Sequence, residues 1–384
     1  MKKKMIALAL SAVFAVPALA QSSITLYGVL DEGINYTNNA DDKSAYQLES
    51  GYAQGSRWGL KGSEDLGTGL KAIFDLENGF DVNSGALGQG GRLFGRQAFV
   101  GLTAFNYGTI TFGRQYDSVV DYVAQATANG TWGGYLLSHP YDNDNTDNSF
   151  RVNNTIKYTS PEINGLQFGG TYSFSNETGF ANNRQYSLGG QYTNGGLLVV
   201  ASYLEASNPG LTTDGAIAIN DANFASENLR IFGGGLNYTF GAATVGFVYT
   251  NTNVGEPSGT DTSVYVGSIV APNGGTITAI KFQNFELNGK YQLTPEFFVG
   301  AQYVYTEGTM DATSGNESPK YHTFGLMADY NVSKRTDLYF QAAYQKVAGD
   351  KTDTVLDDAY IPGAAGVSST ANQFAVRAAI RHKF

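Results

Sequence analysis

The chain of 384 residues has no cysteine, three histidines, nine prolines and two tryptophans. Without cysteine neither disulfides nor thiol chemistry is available, so cohesion must come from backbone pairing and packing. Three histidines leave few candidates for a catalytic base. Charged residues make up only 15%. After the first twenty positions no apolar run is long enough for a spanning helix, which needs about 20 residues. That excludes a helical membrane protein but not a spanning barrel, whose apolar residues hide in every second position. Basic charge is also scarce. Lys and Arg number 24 against 34 Asp and Glu, a formal net charge of −10. Such a balance argues against nucleic acid as a partner, because phosphate binding needs basic surface.

What is present begins with a leader. Lys2, Lys3 and Lys4 precede an apolar core from Met5 to Val16, and Pro17, Ala18, Leu19 and Ala20 end in a small-x-small cleavage pattern. This predicts a cleaved secretory signal over residues 1–20 and export from the cytoplasm. A membrane anchor is the alternative, and the run is too short for it. Without its three lysines the remaining chain carries a formal charge of −13 rather than −10. No linker or composition break divides residues 21–384, which are expected to form one domain.

From Ile24 onward the dominant period is two. In 337–345, Leu338, Phe340, Ala342 and Tyr344 alternate with Asp337, Tyr339, Gln341, Ala343 and Gln345. In 70–77, Leu70, Ala72, Phe74 and Leu76 alternate with Lys71, Ile73, Asp75 and Glu77. In 150–159, Phe150, Val152, Ile156 and Tyr158 form the apolar side, with Asn154 as the exception. Such alternation marks strands with one apolar and one polar side. About sixteen such segments are present by this template. Short Gly-, Asn-, Asp- and Pro-rich turns such as 65–69, 194–196 and 241–242 alternate with long polar loops such as 37–55, 115–149 and 309–319. A soluble sandwich has no reason to sort its loops this way. A transmembrane antiparallel β-barrel does, and in lipid its sheet must close.

Residues 115–149 form the longest gap without alternation. It holds Trp132, Tyr135, Leu136 and Leu137, followed by Asp142, Asp144 and Asp147. This is too apolar for a free linker, and the reading is a third loop folded into the pore. An ordinary surface excursion is the alternative. Tyr36, Phe80, Tyr107, Tyr158, Tyr192, Tyr291, Tyr330, Tyr344 and Phe384 lie near strand ends, as in interfacial aromatic girdles; strand propensity alone also favours them.

With the apolar face toward lipid, Arg57 and Lys61 face the lumen. Lys71, Arg96, Arg114 and Arg151 on neighbouring strands extend a basic column. Glu77, Asp75 and the loop acids Asp142 and Asp144 are the candidate opposing charges, with Asp117 and Asp121 as further loop acids. Opposed charge across a narrow water passage makes a transverse field, and rings of charge set ion preference. Guanidinium suits such a wall because it stays charged and is rigidly bonded. The alternative is scattered lumen charge in a wide channel.

Residues 56–62 (Ser-Arg-Trp-Gly-Leu-Lys-Gly), 76–80 (Leu-Glu-Asn-Gly-Phe), 96–102 (Arg-Gln-Ala-Phe-Val-Gly-Leu) and 113–115 (Gly-Arg-Gln) resemble the general porins of Gram-negative bacteria. The beta-proteobacterial type, as in Burkholderia and Neisseria, is nearest. The terminal strand, with Phe374, Val376, Ala378, Ile380, His382 and Phe384 on one face, resembles the assembly signal of outer-membrane barrels, with His382 where an aromatic is more usual. The resemblance implies a homotrimer of sixteen-stranded barrels in the outer membrane, a third loop inside each, arginines at positions 57, 96 and 151, and an acid at 77. It also implies contact with outer-membrane lipids and lipopolysaccharide, and with the barrel assembly machinery through Phe384. Enteric porins carry a Pro-Glu-Phe-Gly-Gly element in the loop; this chain has Trp132, Gly133, Gly134 and Tyr135 instead, so loop acids do not transfer.

The expected function is passive diffusion of ions and small hydrophilic solutes. A substrate-specific channel and a barrel protease or lipase are the rivals. The first needs a lumen pocket or aromatic run. The second needs His139 to act with Ser138 and Asp142, and adjacent residues seldom make a nucleophile–base pair. No cofactor is expected. The Asp142-x-Asp144 pair lacks the glycine and distal glutamate of a helix-loop calcium site, so no metal motif is assigned.

Overall fold

A computed structural model describes residues 22–258, 269–271 and 275–384. The expected leader, 1–20, lies outside the described residues. Eighteen strands are described. They begin with β1 (Ser23–Ala40), β2 (Lys43–Ser50), β3 (Arg57–Gly67), β4 (Leu70–Gly79), β5 (Gln97–Ala104) and β6 (Gly108–Gln115). Next come β7 (Val152–Thr159), β8 (Leu166–Ser173), β9 (Gln185–Asn194), β10 (Leu197–Ser207), β11 (Ser226–Phe240) and β12 (Ala243–Pro257). The last are β13 (Ile277–Thr294), β14 (Phe297–Ala312), β15 (Gly315–Glu317), β16 (Pro319–Asn331), β17 (Thr336–Gly349) and β18 (Asn372–Lys383).

Alternation makes these segments strands and decides their faces. In β17, Leu338, Phe340 and Tyr344 are exposed outward, whereas Asp337, Tyr339, Gln341, Ala343 and Gln345 are buried inward. Neighbours in sequence pair antiparallel, and β1 pairs with β18 from Val29 opposite Lys383 to Thr37 opposite Ala375. The sheet therefore closes and leaves no unpaired edge in lipid.

Residues 23–29 of β1 pair with β3 and residues 32–40 with β2, so β2 and β3 form one stave end to end. Similarly, β15 and β16 share a stave beside β14. Eighteen strands thus give sixteen staves of a closed antiparallel barrel. The polar stretches 37–55 and 309–319, read from sequence as long loops, are mostly strand. β1 and β2 join through Asp41 and Asp42, both left-handed at φ 51° and 64°, a conformation that aspartate tolerates in tight turns. At the opposite rim the short turns hold, with Gly195 at φ 58° and Gly241 at φ 59°.

Two face assignments change. Alternation places Phe150 and Val152 toward lipid, but they are 1% and 0% exposed inside the barrel. Asn154 is left-handed (φ 53°), and the β6–β7 register slips between Gly113 and Gln115. This bulge shifts parity by one, so only Ile156 and Tyr158 beyond it face out. Phe80, expected in the outer girdle, follows the end of β4 and lines the lumen. Tyr158, Tyr192, Tyr291, Tyr330, Tyr344 and Phe384 are exposed on the outside.

Residues 115–149 fold inward. Asp117 caps the turn Ser118–Asp121, accepting from the Val119 amide at 2.7 Å and from Asn145 Nδ2 at 2.8 Å. Val119, Val123, Ala126, Trp132, Leu136, Leu137 and Tyr141 are buried as the loop lies against β8–β12 and then β16 and β17. The wall is bare where the loop presses closest. A Cβ on Gly300 would stand 2.6 Å from the Trp132 ring, and one on Gly325 2.6 Å from Leu137 Cγ. Polar wall groups hold the loop backbone: Gln302 Nε2 donates to the Leu137 carbonyl (2.7 Å) and Asn288 Nδ2 to that of Ala126 (2.9 Å). The apolar loop is thus accommodated by a wall that supplies glycines and amides.

Candidate functional site

Between the loop and the opposite wall lies a space of about 720 Å³. Arg57, Arg96, Arg151 and Phe80 line one side; Val120, Thr131, Tyr135, Asp147 and Asn148 line the loop side. Arg57 opens β3, Glu77 lies near the end of β4, Arg96 immediately precedes β5 and Arg151 immediately precedes β7. Their shared level follows from the barrel, because all four stand near the long-loop ends of neighbouring staves.

Glu77, 4% exposed, is the hub. Arg96 Nε lies 2.8 Å from its Oε1 and Arg57 Nε 3.3 Å from its Oε2. The Tyr27 and Tyr116 hydroxyls donate to the same carboxylate at 3.0 and 3.2 Å. Arg151 donates to the Ser149 carbonyl at 3.2 Å, with its guanidinium 5.9 Å from the centre of the Tyr116 ring. Two guanidiniums therefore share one carboxylate, and the third, Arg151, stands beside them over Tyr116 without a carboxylate bonded to it. Across the passage, burial and then the neighbouring Asp142 hold the Asp147 carboxyl well above the usual carboxylate range, which weakens it as a countercharge.

Other candidates lie elsewhere. Asp75 accepts from Tyr27 at 2.8 Å, one step along the wall from Glu77. Lys71 sits opposite Asp65 near the short-turn rim, six residues from Glu77 and so about 20 Å away; the basic column does not extend to it. Arg114 turns to the mouth, 2.6 Å from Asp221 and from Asn153. Asp142 accepts from the amides of Asp147 (3.0 Å) and Ser149 (3.2 Å) and shapes the loop. Asp144 is buried against β12 with Thr250. Neither faces the arginines; Asp147 is the loop acid lining the space. Asp121 pairs with Lys157 of β7.

His139 meets Asp144 at 2.6 Å through Nδ1 and Glu286 at 2.8 Å through Nε2, not the Asp142 that its sequence position suggests. Both ring nitrogens are spent on carboxylates, so it has no lone pair with which to activate Ser138. His382 lies 2.8 Å from the Thr336 hydroxyl. The Phe384 backbone exchanges two hydrogen bonds with Gly28, both 3.1 Å.

Arg377 of β18 is not among the residues that the sequence singles out. It is fully buried, with Nη2 3.0 Å from Asp31 and its guanidinium 4.4 Å from the centre of the Tyr52 ring. It thereby ties the β1–β18 seam to the excursion that delivers Arg57. Tyr27 and Tyr116 were also missed, since nothing marks two among 25 tyrosines.

A closed sixteen-stave barrel, apolar outside and narrowed by a loop facing an arginine wall, defines a transmembrane diffusion pore. The described family of Gram-negative porins matches residues 7–350, and the chain belongs to that family. It is 35% identical to an outer membrane porin protein of Bordetella pertussis, over 90% of this chain and 94% of that one. It is 31% identical to outer membrane porin protein 32 of Delftia acidovorans over the full length of both. Among solved structures it resembles the anion-selective porin from Comamonas acidovorans, with a TM-score of 0.71 and 26% identity over 94% of this chain and 100% of that one. OmpT of Vibrio cholerae in its trimer form shares the fold, with a TM-score of 0.63 and 18% identity over 94% and 99%. The chain is thus a general porin of the Gram-negative outer membrane, a water-filled channel for ions and small hydrophilic solutes.

Proposed function

We propose that this porin passes solutes without a saturable binding step and prefers anions, the preference being set where Arg57, Arg96 and Arg151 face the third loop. The carrying observation is the charge around the passage beside the loop: three guanidiniums, two of them paired with Glu77, facing Asp147, whose carboxyl is held well above the usual carboxylate range. A permeating anion meets donors fixed by hydrogen bonds, and a cation meets like charge at short range. Replacing all three arginines by alanine is expected to move the reversal potential under a salt gradient toward cations. An unchanged reversal potential would refute the assignment.

The same reading includes a homotrimer. Around the β1–β18 seam, Gly33, Ala328, Ala378 and Ala379 contribute to an apolar hollow of about 630 Å³ between Ile34, Phe297, Leu338 and Phe340, a recess suited to a neighbouring barrel. Outer-membrane lipids and lipopolysaccharide would cover the rest of the exposed apolar belt, and the barrel assembly machinery would engage the Phe384 strand.

A further inference from the structure

The third loop is held to the wall by more than apolar packing, and one contact is ionic. His139, Asp144 and Glu286 have fully buried side chains. Each ring nitrogen of His139 lies within hydrogen-bond distance of a different carboxylate, 2.6 Å to Asp144 and 2.8 Å to Glu286. Both carboxylates also accept from other groups. Asp144 takes the hydroxyls of Thr250 (2.5 Å) and Thr146 (2.9 Å), and Glu286 takes the Ala128 amide and Asn288 Nδ2, both at 2.7 Å. Carboxylates so surrounded by donors are ionised. An ionised carboxylate only accepts, so both ring nitrogens must donate, and the ring is an imidazolium.

We propose that His139 is a positioning residue: a buried imidazolium that pins the third loop to β13 and keeps the constriction at one width across the pH range met at a cell surface. This rests on the porin reading, through the place of His139 between Tyr135 and Asp147, both of which line the passage. The titratable groups facing it are Asp144 on its own loop, with Asp142 behind it, and Glu286 on β13. From β12 and β13, Thr250 and Asn284 complete the shell of Asp144, and neither titrates.

Burial alone would push the imidazole down; the charges of Asp144 and Glu286 reverse that and raise it to about 10. For a raised base the stabilisation is complete below the ordinary value of about 6.5 and fades only as pH climbs through the folded value. The pin is therefore constant where an ordinary histidine would switch.

Nitrogen-15 spectroscopy of the imidazoles in detergent tests the charge directly, with His322→Gln and His382→Gln used to assign the three rings. His139 is expected to stay doubly protonated from about pH 5 to 9; titration near 6.5 would overturn the proposal. In Glu286→Gln the ring loses one countercharge and should titrate at a lower pH than in the wild type, while closures of the single channel become about tenfold more frequent as it deprotonates. The wild-type channel should be flat. A variant whose ring titrates but whose channel stays flat would overturn the pinning role. Should Glu286→Gln not fold, Asp144→Asn is read in the same way. A wild-type protein that conducts nothing would instead sink the porin reading and leave the spectroscopic result standing.

Discussion

At the scale of single residues, Glu77 holds together groups that would otherwise repel. Two unit charges about 4 Å apart interact by about 4 kcal/mol at an effective dielectric of about 20, and water reaching Arg57 and Arg96, 19% and 12% exposed, lowers that figure. Glu77→Gln keeps the shape and the tyrosine contacts but leaves Arg57 and Arg96 without the carboxylate they share. The anion-to-cation permeability ratio should rise at least about twofold, and the barrel should lose about 1–2 kcal/mol in urea unfolding, within the range for breaking a partly buried pair. A permeability ratio that stays the same or falls would remove Glu77 from the selectivity mechanism. Arg57, Arg96 and Glu77 were legible in the sequence because alternation fixes which side faces water. The partnerships of Arg114 with Asp221 and of His139 with Glu286 were not, because 107 and 147 positions separate those pairs and no periodic pattern carries such distances.

At the scale of elements, strands were readable and interruptions were not. A period of two survives only until an extra residue enters, and Asn154 shows the consequence: one left-handed residue moves Phe150 and Val152 from the outer face to the inner core. The aspartate pair at the β1–β2 turn hid a hairpin inside an apparent loop because the strands flanking it are polar. The third loop obeys a further rule, that its course is set by what the wall omits. In Gly300→Leu the side chain would enter space held by the Trp132 ring, at a cost of about 1–3 kcal/mol for overpacking. The loop has water on its other side, so it should shift into the passage and single-channel conductance should fall. Gly289→Ala is the control, since its Cβ would meet nothing closer than the Thr244 carbonyl at 3.4 Å. Wild-type conductance in Gly300→Leu would show that the loop position does not depend on this contact.

At the scale of the whole molecule two charge distributions compete. The chain is acidic, −10 over its length, and Glu49 and Asp81 border the same space as the arginines. Net charge alone would favour cations. It acts over distance, however, and salt limits that distance to about 10 Å at 0.1 M and about 3 Å at 1 M. The arginines act on an ion in near contact, inside walls of low dielectric that focus the field. Anion preference should therefore keep its sign at both concentrations and weaken as salt rises. The triple arginine-to-alanine channel should be cation-preferring, most strongly in dilute salt, where the acidic background reaches furthest. Reversal potentials across a salt series in planar bilayers separate the two contributions. Should the wild-type channel turn cation-selective as salt is diluted, the acidic mouths rather than the constriction would govern permeation, because only they gain reach from a longer screening distance.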